Sequence, residues 1–195
     1  MALLGTLLRG RRPEERNHAW NHPRLAAPET IEITSHDFVH DHPLGTRHVG
    51  KRVGGDNISP HLAWSEPPAA TVEFLLLVED VDAPLGANPP VHCSAIVDPV
   101  GLLTPNELPA GALGRDNPAS GVTLLRPTIG RGYVGPEPLK GNGIHRYVFE
   151  IYALGESLLR GPGREALVKS RPRALVDSLG SGVLARGRIT GTYER

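Results

Sequence analysis

The chain has 195 residues, with 21 Lys and Arg against 21 Asp and Glu, so its formal net charge at pH 7 is zero. This length favours one domain, and the balanced charge argues against a nucleic-acid-binding protein, which would carry a basic surface. The 23 glycines and 19 prolines favour a fold of strands and turns over a helical bundle. The single cysteine, Cys93, excludes an intramolecular disulfide and fits a reducing, cytoplasmic location.

The N-terminal segment, residues 1–28, lacks sustained periodicity and is predicted to be an extension, either laid on the domain or mobile. Residues 29–195 are predicted to form the domain. The arginines near the N-terminus follow the apolar residues instead of preceding them, and no small-residue cleavage site comes after, so no signal peptide is expected. No apolar run approaches the ~20 residues of a membrane-spanning helix, so no membrane span is expected.

Short apolar segments bounded by Gly, Pro, Asn and Asp predict strands at residues 31–34, 72–79, 91–97, 144–153 and 186–193. The second segment is almost entirely apolar and should be covered on both faces, whereas Glu150 predicts a partly wet face on the fourth. Two short helices are predicted at residues 164–170 and 173–179, separated by Pro172. Residues 99–138 are rich in Gly and Pro and form a candidate functional loop.

Two aspartates follow directly after the most apolar strand, in the segment EDVDAP at residues 79–84. Because alternate residues of an extended chain share a side, Asp80 and Asp82 are expected to project together. Two neighbouring carboxylates repel each other, so such a pair needs hydrogen-bond donors or a cation beside it. The alternative is an Asx turn closed by Pro84.

A histidine, His92, opens the next strand and is a candidate for either a structural or a catalytic role. Its neighbour Cys93 should face the opposite side of the strand, so the spacing argues against a Cys–His nucleophilic dyad.

A second histidine-bearing strand follows a loop rich in Gly and Pro, which can present backbone N–H groups to an oxyanion. His145 and Tyr147 are expected to share one side of this strand. Arg146 should point to the other side and bind a carboxylate or carbonyl groups. Two Asp and two His also permit a mononuclear metal site, which the spacing neither supports nor excludes.

Together these motifs resemble the phosphatidylethanolamine-binding protein family, also called the Raf kinase inhibitor protein family, and its bacterial branch in particular. Four segments carry the resemblance in order: NISPHLAW at 57–64, DVDAP at 80–84 with His92, GPEP at 135–138 and GIHRY at 143–147. It spans about residues 31–193. The resemblance implies a mainly β fold, an antiparallel β-sandwich of Greek-key type with a few short peripheral helices.

The resemblance also implies a small anion-binding pocket at one end of the sandwich, with no catalytic residue, metal or cofactor. Its ligand would be phosphate, acetate or a phosphorylethanolamine-like head group. A protonated His92 or His145 paired with an aspartate would offset the repulsion between carboxylates and an anion. The ligand-binding residues carried over from the family are Asp80, Asp82, Pro84, His92, Gly135, Pro136, His145 and Tyr147.

The sequence departs from the family pattern at three positions near this pocket. Val81 stands where a rigidifying proline is usual, and Glu137 and Leu139 stand where bacterial members commonly have Cys and Pro. The carboxylate of Glu137 is therefore expected near the mouth of the pocket.

Three classes of function are compatible with the sequence. The first, which the resemblance implies, is a binding protein that is not an enzyme, with a regulatory or inhibitory role toward kinases or proteases. The second is a hydrolase that uses the Asp and His cluster, either with a metal or by acid–base chemistry. The third is a module that only binds other proteins, in which the uneven distribution of charge along the chain drives docking of a protein partner or homodimerisation.

Overall fold

The computed structural model describes residues 2–160, 165–180 and 182–195. Within these ranges the protein is mainly β with short helices, as predicted. The α-helices of the described ranges are α1 (Ala2–Leu7), α2 (Glu165–Lys169) and α3 (Pro172–Asp177), and six short 3₁₀ helices lie in the connections. The strands are β1 (Ile33–Thr34), β2 (His42–Pro43), β3 (Leu62–Trp64), β4 (Glu73–Asp80), β5 (Val91–Val97), β6 (Glu107–Leu108), β7 (Val122–Leu124), β8 (His145–Leu154) and β9 (Val183–Tyr193).

The strands form a six-stranded sheet in the order β2-β9-β8-β4-β5-β7 and a three-stranded sheet in the order β1-β3-β6. The antiparallel prediction holds for each described pair except β2 with β9, which is parallel. This short edge strand is held in place by hydrogen bonds from Asp41 N to Thr190 O and from Leu44 N to Thr192 O, both 2.8 Å long. The Greek-key connectivity stays a prediction.

The central strand β4 is buried on both faces, as its apolar sequence predicted. One face contributes Phe74 and Leu76 to a core that also contains Leu62 and Trp64 of the three-stranded sheet. The other face packs against residues of the N-terminal segment and of α3, with Leu75, Leu77, Trp20, Leu25 and Leu175 in one cluster.

The prediction of a partly wet face at Glu150 is wrong, because the N-terminal segment and the C-terminal helices cover that face of the sheet. Glu150 is only 1% exposed, and its Oε2 accepts a hydrogen bond from the Tyr152 hydroxyl at 2.7 Å. Burial, reinforced by the charge of Glu79, raises the pKa of Glu150 well above its ordinary value.

The described part of the N-terminal segment packs on the domain. Trp20 is buried, and the guanidinium carbon of Arg186 lies 3.9 Å from its ring centroid. The backbone N–H of Ala19 donates to Oε2 of Glu79 at 2.8 Å. The domain boundary between residues 28 and 29 stays a prediction.

The two late helices lie close to their predicted positions. The predicted start of the first, Arg164, is outside the described residues. Pro172 occupies the first turn of α3, where its missing N–H costs no intrahelical hydrogen bond. No helix in the described chain has the length and apolarity needed to span a membrane.

Candidate functional site

A buried ion pair joins the ends of β4 and β8. Asp80 lies opposite Tyr147 in the strand ladder, which brings it beside His145. Nδ1 of His145 is 2.8 Å from Oδ2 and 3.0 Å from Oδ1 of Asp80. Both residues are buried, so this contact is shielded from water.

The other nitrogen of His145 faces Asn142, which no sequence pattern marks as a site residue. Nε2 of His145 lies 2.7 Å from Oδ1 of Asn142, and Nδ2 of Asn142 donates to the carbonyl oxygen of Gly5 at 3.1 Å. Because the amide nitrogen is used by Gly5, the amide oxygen faces His145 and must accept. Both ring nitrogens of His145 therefore face acceptors, which matches the doubly protonated imidazolium.

His92 is the extra residue of a β-bulge between β4 and β5. The ladder pairs Val78 with Cys93 and Glu79 with Val91, so His92 has no partner of its own. Its Nδ1 faces the carbonyl oxygen of Val134 at 2.7 Å and donates to it. Burial lowers the pKa of His92 despite the opposing charge of Asp80, so the ring is neutral at pH 7 with its lone pair on Nε2.

The bulge also overturns the prediction that Cys93 is separated from His92 by strand alternation. Cys93 packs in the same core as Tyr147, whose ring contacts that of His92 edge-on at 5.2 Å between centroids. The argument against a Cys–His dyad now has a different basis. Complete burial raises the pKa of the Cys93 thiol to about 12, so the reactive thiolate does not form near neutral pH.

The ring of Tyr147 contacts those of His92 and His145, and its buried hydroxyl interacts with Asp80 without a hydrogen bond of normal geometry to any described group. The Tyr147 ring stacks on that of His145 at 6.4 Å, which confirms that these residues share one side of β8. Burial, and then the negative charge and hydrogen-bonding interaction of Asp80, raise the pKa of Tyr147. The group is therefore a neutral hydroxyl whose one proton is directed either to Asp80 or to another acceptor.

Asp82 has cationic partners of its own. The backbone N–H of Asp82 donates to Oδ1 of Asp80 at 3.1 Å, which is the Asx turn considered from the sequence. Its carboxylate accepts from N, Nε and Nη2 of Arg146 at 2.9, 2.7 and 2.9 Å. The carboxylate predicted to bind Arg146 is thus that of Asp82. Asp80 and Asp82 thus contact different partners, the ring of His145 and the guanidinium of Arg146, whereas alternation predicted that the two carboxylates project together.

Two opposing effects act on the ionisation of Asp82. Burial alone would raise its pKa, but the hydrogen bonds and charge of Arg146 and the charge of Arg12 lower it below the ordinary value. Nη1 of Arg12 lies 3.2 Å from Oδ1 of Asp82. Arg12 was missed because nothing in its local sequence connects it to a residue so distant in the chain.

The loop residues Gly135 and Pro136 are buried, but their backbone groups are already bonded. Gly135 N donates to Oδ1 of Asn57 at 2.8 Å, and Pro136 O accepts from Gly50 N at 3.1 Å. A Cβ on Gly135 would lie 2.3 Å from the carbonyl oxygen of His48, so only glycine fits. The N–H of Gly135 is therefore not free to bind an anion in this conformation.

Two further residues, Pro84 and Glu137, were expected at the pocket. Pro84 is half-buried in the turn that follows Asp82. Glu137 accepts from the backbone N of Arg52 at 3.2 Å, and its charge acts weakly on His92.

Neither of two cavities elsewhere in the protein, of about 510 and 230 Å³, is lined by Asp80, His92 or His145. Within the described ranges no group of three or more His, Cys, Asp or Glu side chains has a geometry suited to a metal ion.

The sequence pattern of the phosphatidylethanolamine-binding protein family matches residues 34–194, and the chain belongs to this family. Curated relatives include YbhB of Escherichia coli K12, 36% identical over 128 residues, covering 64% of this chain and 78% of YbhB. LppC of Mycobacterium tuberculosis H37Rv, named as a candidate lipoprotein, is 32% identical over 169 residues, covering 86% of this chain and 74% of LppC.

Solved structures agree with this assignment. The crystal structure of YbcL from Escherichia coli, described as a member of the mammalian PEBP family, superposes with a TM-score of 0.70 at 32% identity, covering 85% of this chain and 98% of YbcL. A homologue of the family from Chlamydia trachomatis superposes with a TM-score of 0.68 at 25% identity, covering 85% and 97% of the two chains. The resemblance noted in the sequence is therefore confirmed.

Proposed function

We propose that the protein binds a small oxyanion or a phosphorylated head group, such as phosphorylethanolamine, at the cluster formed by Asp80, His92, His145 and Tyr147. The observation that carries the proposal is the hydroxyl of Tyr147, which is buried and lacks a normal hydrogen bond within the described chain. Leaving such a group unsatisfied costs ~1–3 kcal/mol. A ligand oxygen at this point would relieve that cost.

The charges of the cluster suit an anion only if His145 carries both protons. An imidazolium at His145 offsets the charge of Asp80, so the pair does not repel an oxyanion as a lone carboxylate would. The neutral Nε2 of His92 can accept a hydrogen bond from a monoprotonated phosphate or a carboxylic acid. Of the two histidines considered from the sequence, His145 is the one that supplies the positive charge.

The proposal places the cationic end of a zwitterionic head group toward Asp82. This carboxylate is buried and has a lowered pKa. It contacts the guanidinium of Arg12 in addition to that of Arg146, so it has room for a second cationic group. An ammonium group that replaced Arg12 would bind the same carboxylate. Phosphorylethanolamine should therefore bind more tightly than inorganic phosphate.

The proposed activity is binding without turnover. Cys93 is buried with its pKa raised to about 12, and the remaining groups of the cluster are proton carriers rather than nucleophiles held beside a base. Regulation of a kinase or protease rests on the family alone, whereas the cytoplasmic location rests on the single cysteine. A protein partner or a homodimer completes the proposal. Cell fractionation tests the location directly, since the relative LppC is named as a candidate lipoprotein.

The binding proposal is tested by a ³¹P NMR titration of phosphorylethanolamine with three proteins at pH 6: the wild type, Tyr147→Phe and Tyr152→Phe. Tyr147→Phe removes a hydroxyl that has no normal partner, so it should weaken binding about tenfold while leaving the free energy of unfolding unchanged or higher. Tyr152→Phe is the matched control. Its hydroxyl donates to Glu150 on the other face of the sheet, so it should lose stability and keep full affinity.

A saturable ³¹P shift without release of free phosphate supports binding without turnover. Release of phosphate at the rate expected of an enzyme would replace the proposal with the hydrolase. Equal affinity of Tyr147→Phe and the wild type would remove the observation on which the proposal rests.

A further inference from the structure

The residues preceding the family match contact the candidate site directly. We define residues 2–12, which comprise α1 and the turn after it, as the N-terminal arm. At its start, the carbonyl oxygen of Gly5 accepts from Nδ2 of Asn142, the residue that bonds His145. At its end, Arg12 forms its ion pair with Asp82. The arm therefore has a polar contact beside His145 and another at Asp82.

The arm fits closely where it crosses the loop before β8. A Cβ built on Gly5 would lie 2.1 Å from the carbonyl oxygen of Lys140 and 3.1 Å from the backbone nitrogen of Asn142. Both neighbours are backbone atoms, so neither can rotate away. Leu8 is buried on the inner side of the arm. This close approach is specific to glycine at position 5.

The site residues are closed off from solvent in this arrangement. Asp80, His92 and His145 are 4, 5 and 2% exposed. A ligand of the size of phosphorylethanolamine can reach them only if some covering element moves. The arm is one such element, because Gly5 and Arg12 contact residues of the site directly.

Three features of the arm make its docking on the domain weak. A six-residue helix is marginal without tertiary support. Leu3 and Leu7 are 87 and 80% exposed, so they add little burial to hold it down. The Arg12 side chain is 56% exposed, and an ion pair of this kind is screened by water.

We propose that the N-terminal arm is an intramolecular gate of the site, with Arg12 and the Gly5 carbonyl occupying Asp82 and Asn142 in place of ligand groups. Ligand binding is then coupled to release of the arm. Because only molecules with the arm undocked bind the ligand, the apparent affinity is the intrinsic affinity multiplied by the undocked fraction. This inference rests on the proposed function, since it describes access to the same site. It assigns a role to a segment that lies outside residues 34–194, the range of the family match.

The test uses the full chain with two variants that release the arm and two that do not. Gly5→Ala introduces the Cβ that clashes with the Lys140 carbonyl, although alanine favours a helix over glycine by ~1 kcal/mol. A loss of docking therefore cannot be attributed to a weaker helix. Arg12→Ala removes the ion pair with Asp82. Arg11→Ala and Leu3→Ser alter exposed side chains of the same arm and serve as controls.

The affinity of phosphorylethanolamine is measured for all five proteins, together with the ¹⁵N–¹H signals of the Asn142 side-chain amide without ligand. Gly5→Ala should shift these signals and tighten binding about tenfold, equivalent to ~1.4 kcal/mol. Arg12→Ala should tighten binding in the same direction, and both controls should match the wild type.

The experiment distinguishes failure of the gate from failure of the proposed binding site. Equal affinity in all five proteins would overturn the gate and leave the binding site standing. Unchanged Asn142 signals in Gly5→Ala would also overturn it, because the arm would not depend on the close fit at that position. Absence of binding in every protein would overturn the proposed function, and the gate with it.

Discussion

Nδ1 of His145 lies 2.8 Å from Oδ2 of Asp80, and both side chains are buried where β4 and β8 end. Each residue also has a second contact that holds its side chain in this position. Asp80 also accepts from the N–H of Asp82, and His145 also contacts Asn142. The pair therefore fixes the local geometry of the site as well as its charge.

Replacement of Asp80 should destabilise the fold. Asp80→Asn leaves His145 without a negative partner, and breaking one side of a buried pair costs ~3–5 kcal/mol. Urea denaturation at pH 7 measures the change. Asp116→Asn, at a side chain that is 92% exposed, is the control and should be neutral. A loss for Asp80→Asn no larger than that of the control would contradict the prediction.

The ion pair of Asp82 with Arg146 should make stability fall in acid. Because the folded pKa of Asp82 is below its ordinary value of 3.8, its contribution is present above that pH and is lost as the pH falls through the lower, folded pKa. Asp82→Asn should thus be less stable than the wild type at pH 7, and the difference should shrink below pH ~4. Urea denaturation of both proteins between pH 3 and 7 measures it. A constant difference over this range would be evidence against the ion pair.

The buried carboxyl of Glu79 should make the stability of the protein change with pH in the opposite direction, near neutral pH. Burial raises its pKa from 4.5 to about 7, so the folded state binds the proton more tightly and stability falls as the pH rises between these values. Glu79→Gln keeps the shape of the protonated form and an acceptor for Ala19 N. It should match the wild type near pH 4.5 and exceed it at pH 8. Thermal unfolding at the two pH values measures this, and equal melting temperatures at pH 8 would refute it.

The thiol of Cys93 should be unreactive in the folded protein. It is buried, and its pKa is raised to about 12. Since it is the only cysteine, labelling by a disulfide reagent at pH 8 reports on this site alone. We expect rapid, stoichiometric labelling in denaturant and labelling slower by ~100-fold or more in buffer, as the equilibrium for opening a stable core allows. Fast labelling of the native protein would show that the core around β5 opens readily.

Much of the fold could be predicted from the sequence because its signals are local. The apolar run of β4 and the alternation that puts His145 and Tyr147 on one side both depend on neighbouring residues only. The same is true of the Asx turn at Asp80. These are the features in which the prediction and the structure agree.

The errors arise where distant segments or an irregular register decide the outcome. Strand alternation separates His92 from Cys93, but the bulge adds one residue and breaks that alternation. Glu150 looks like a solvent-facing residue in its own strand, and only the packing of Trp20 and α3 on the sheet buries it.

The partners of the site were missed for the same reason. Asn142 and Arg12 have no local pattern that marks them as functional residues. Their roles depend on the path of the N-terminal arm across the loop before β8, which is a property of the tertiary structure.

The most direct test of the binding site is an amide NMR titration of the wild-type protein with phosphorylethanolamine at pH 6. We expect saturable shifts confined to Asp80, His92, His145, Tyr147 and their neighbours, including Asn142 and the arm. Shifts centred on residues that line the larger cavity, such as Leu85 and Arg173, would contradict it, as would the absence of any shift at millimolar ligand.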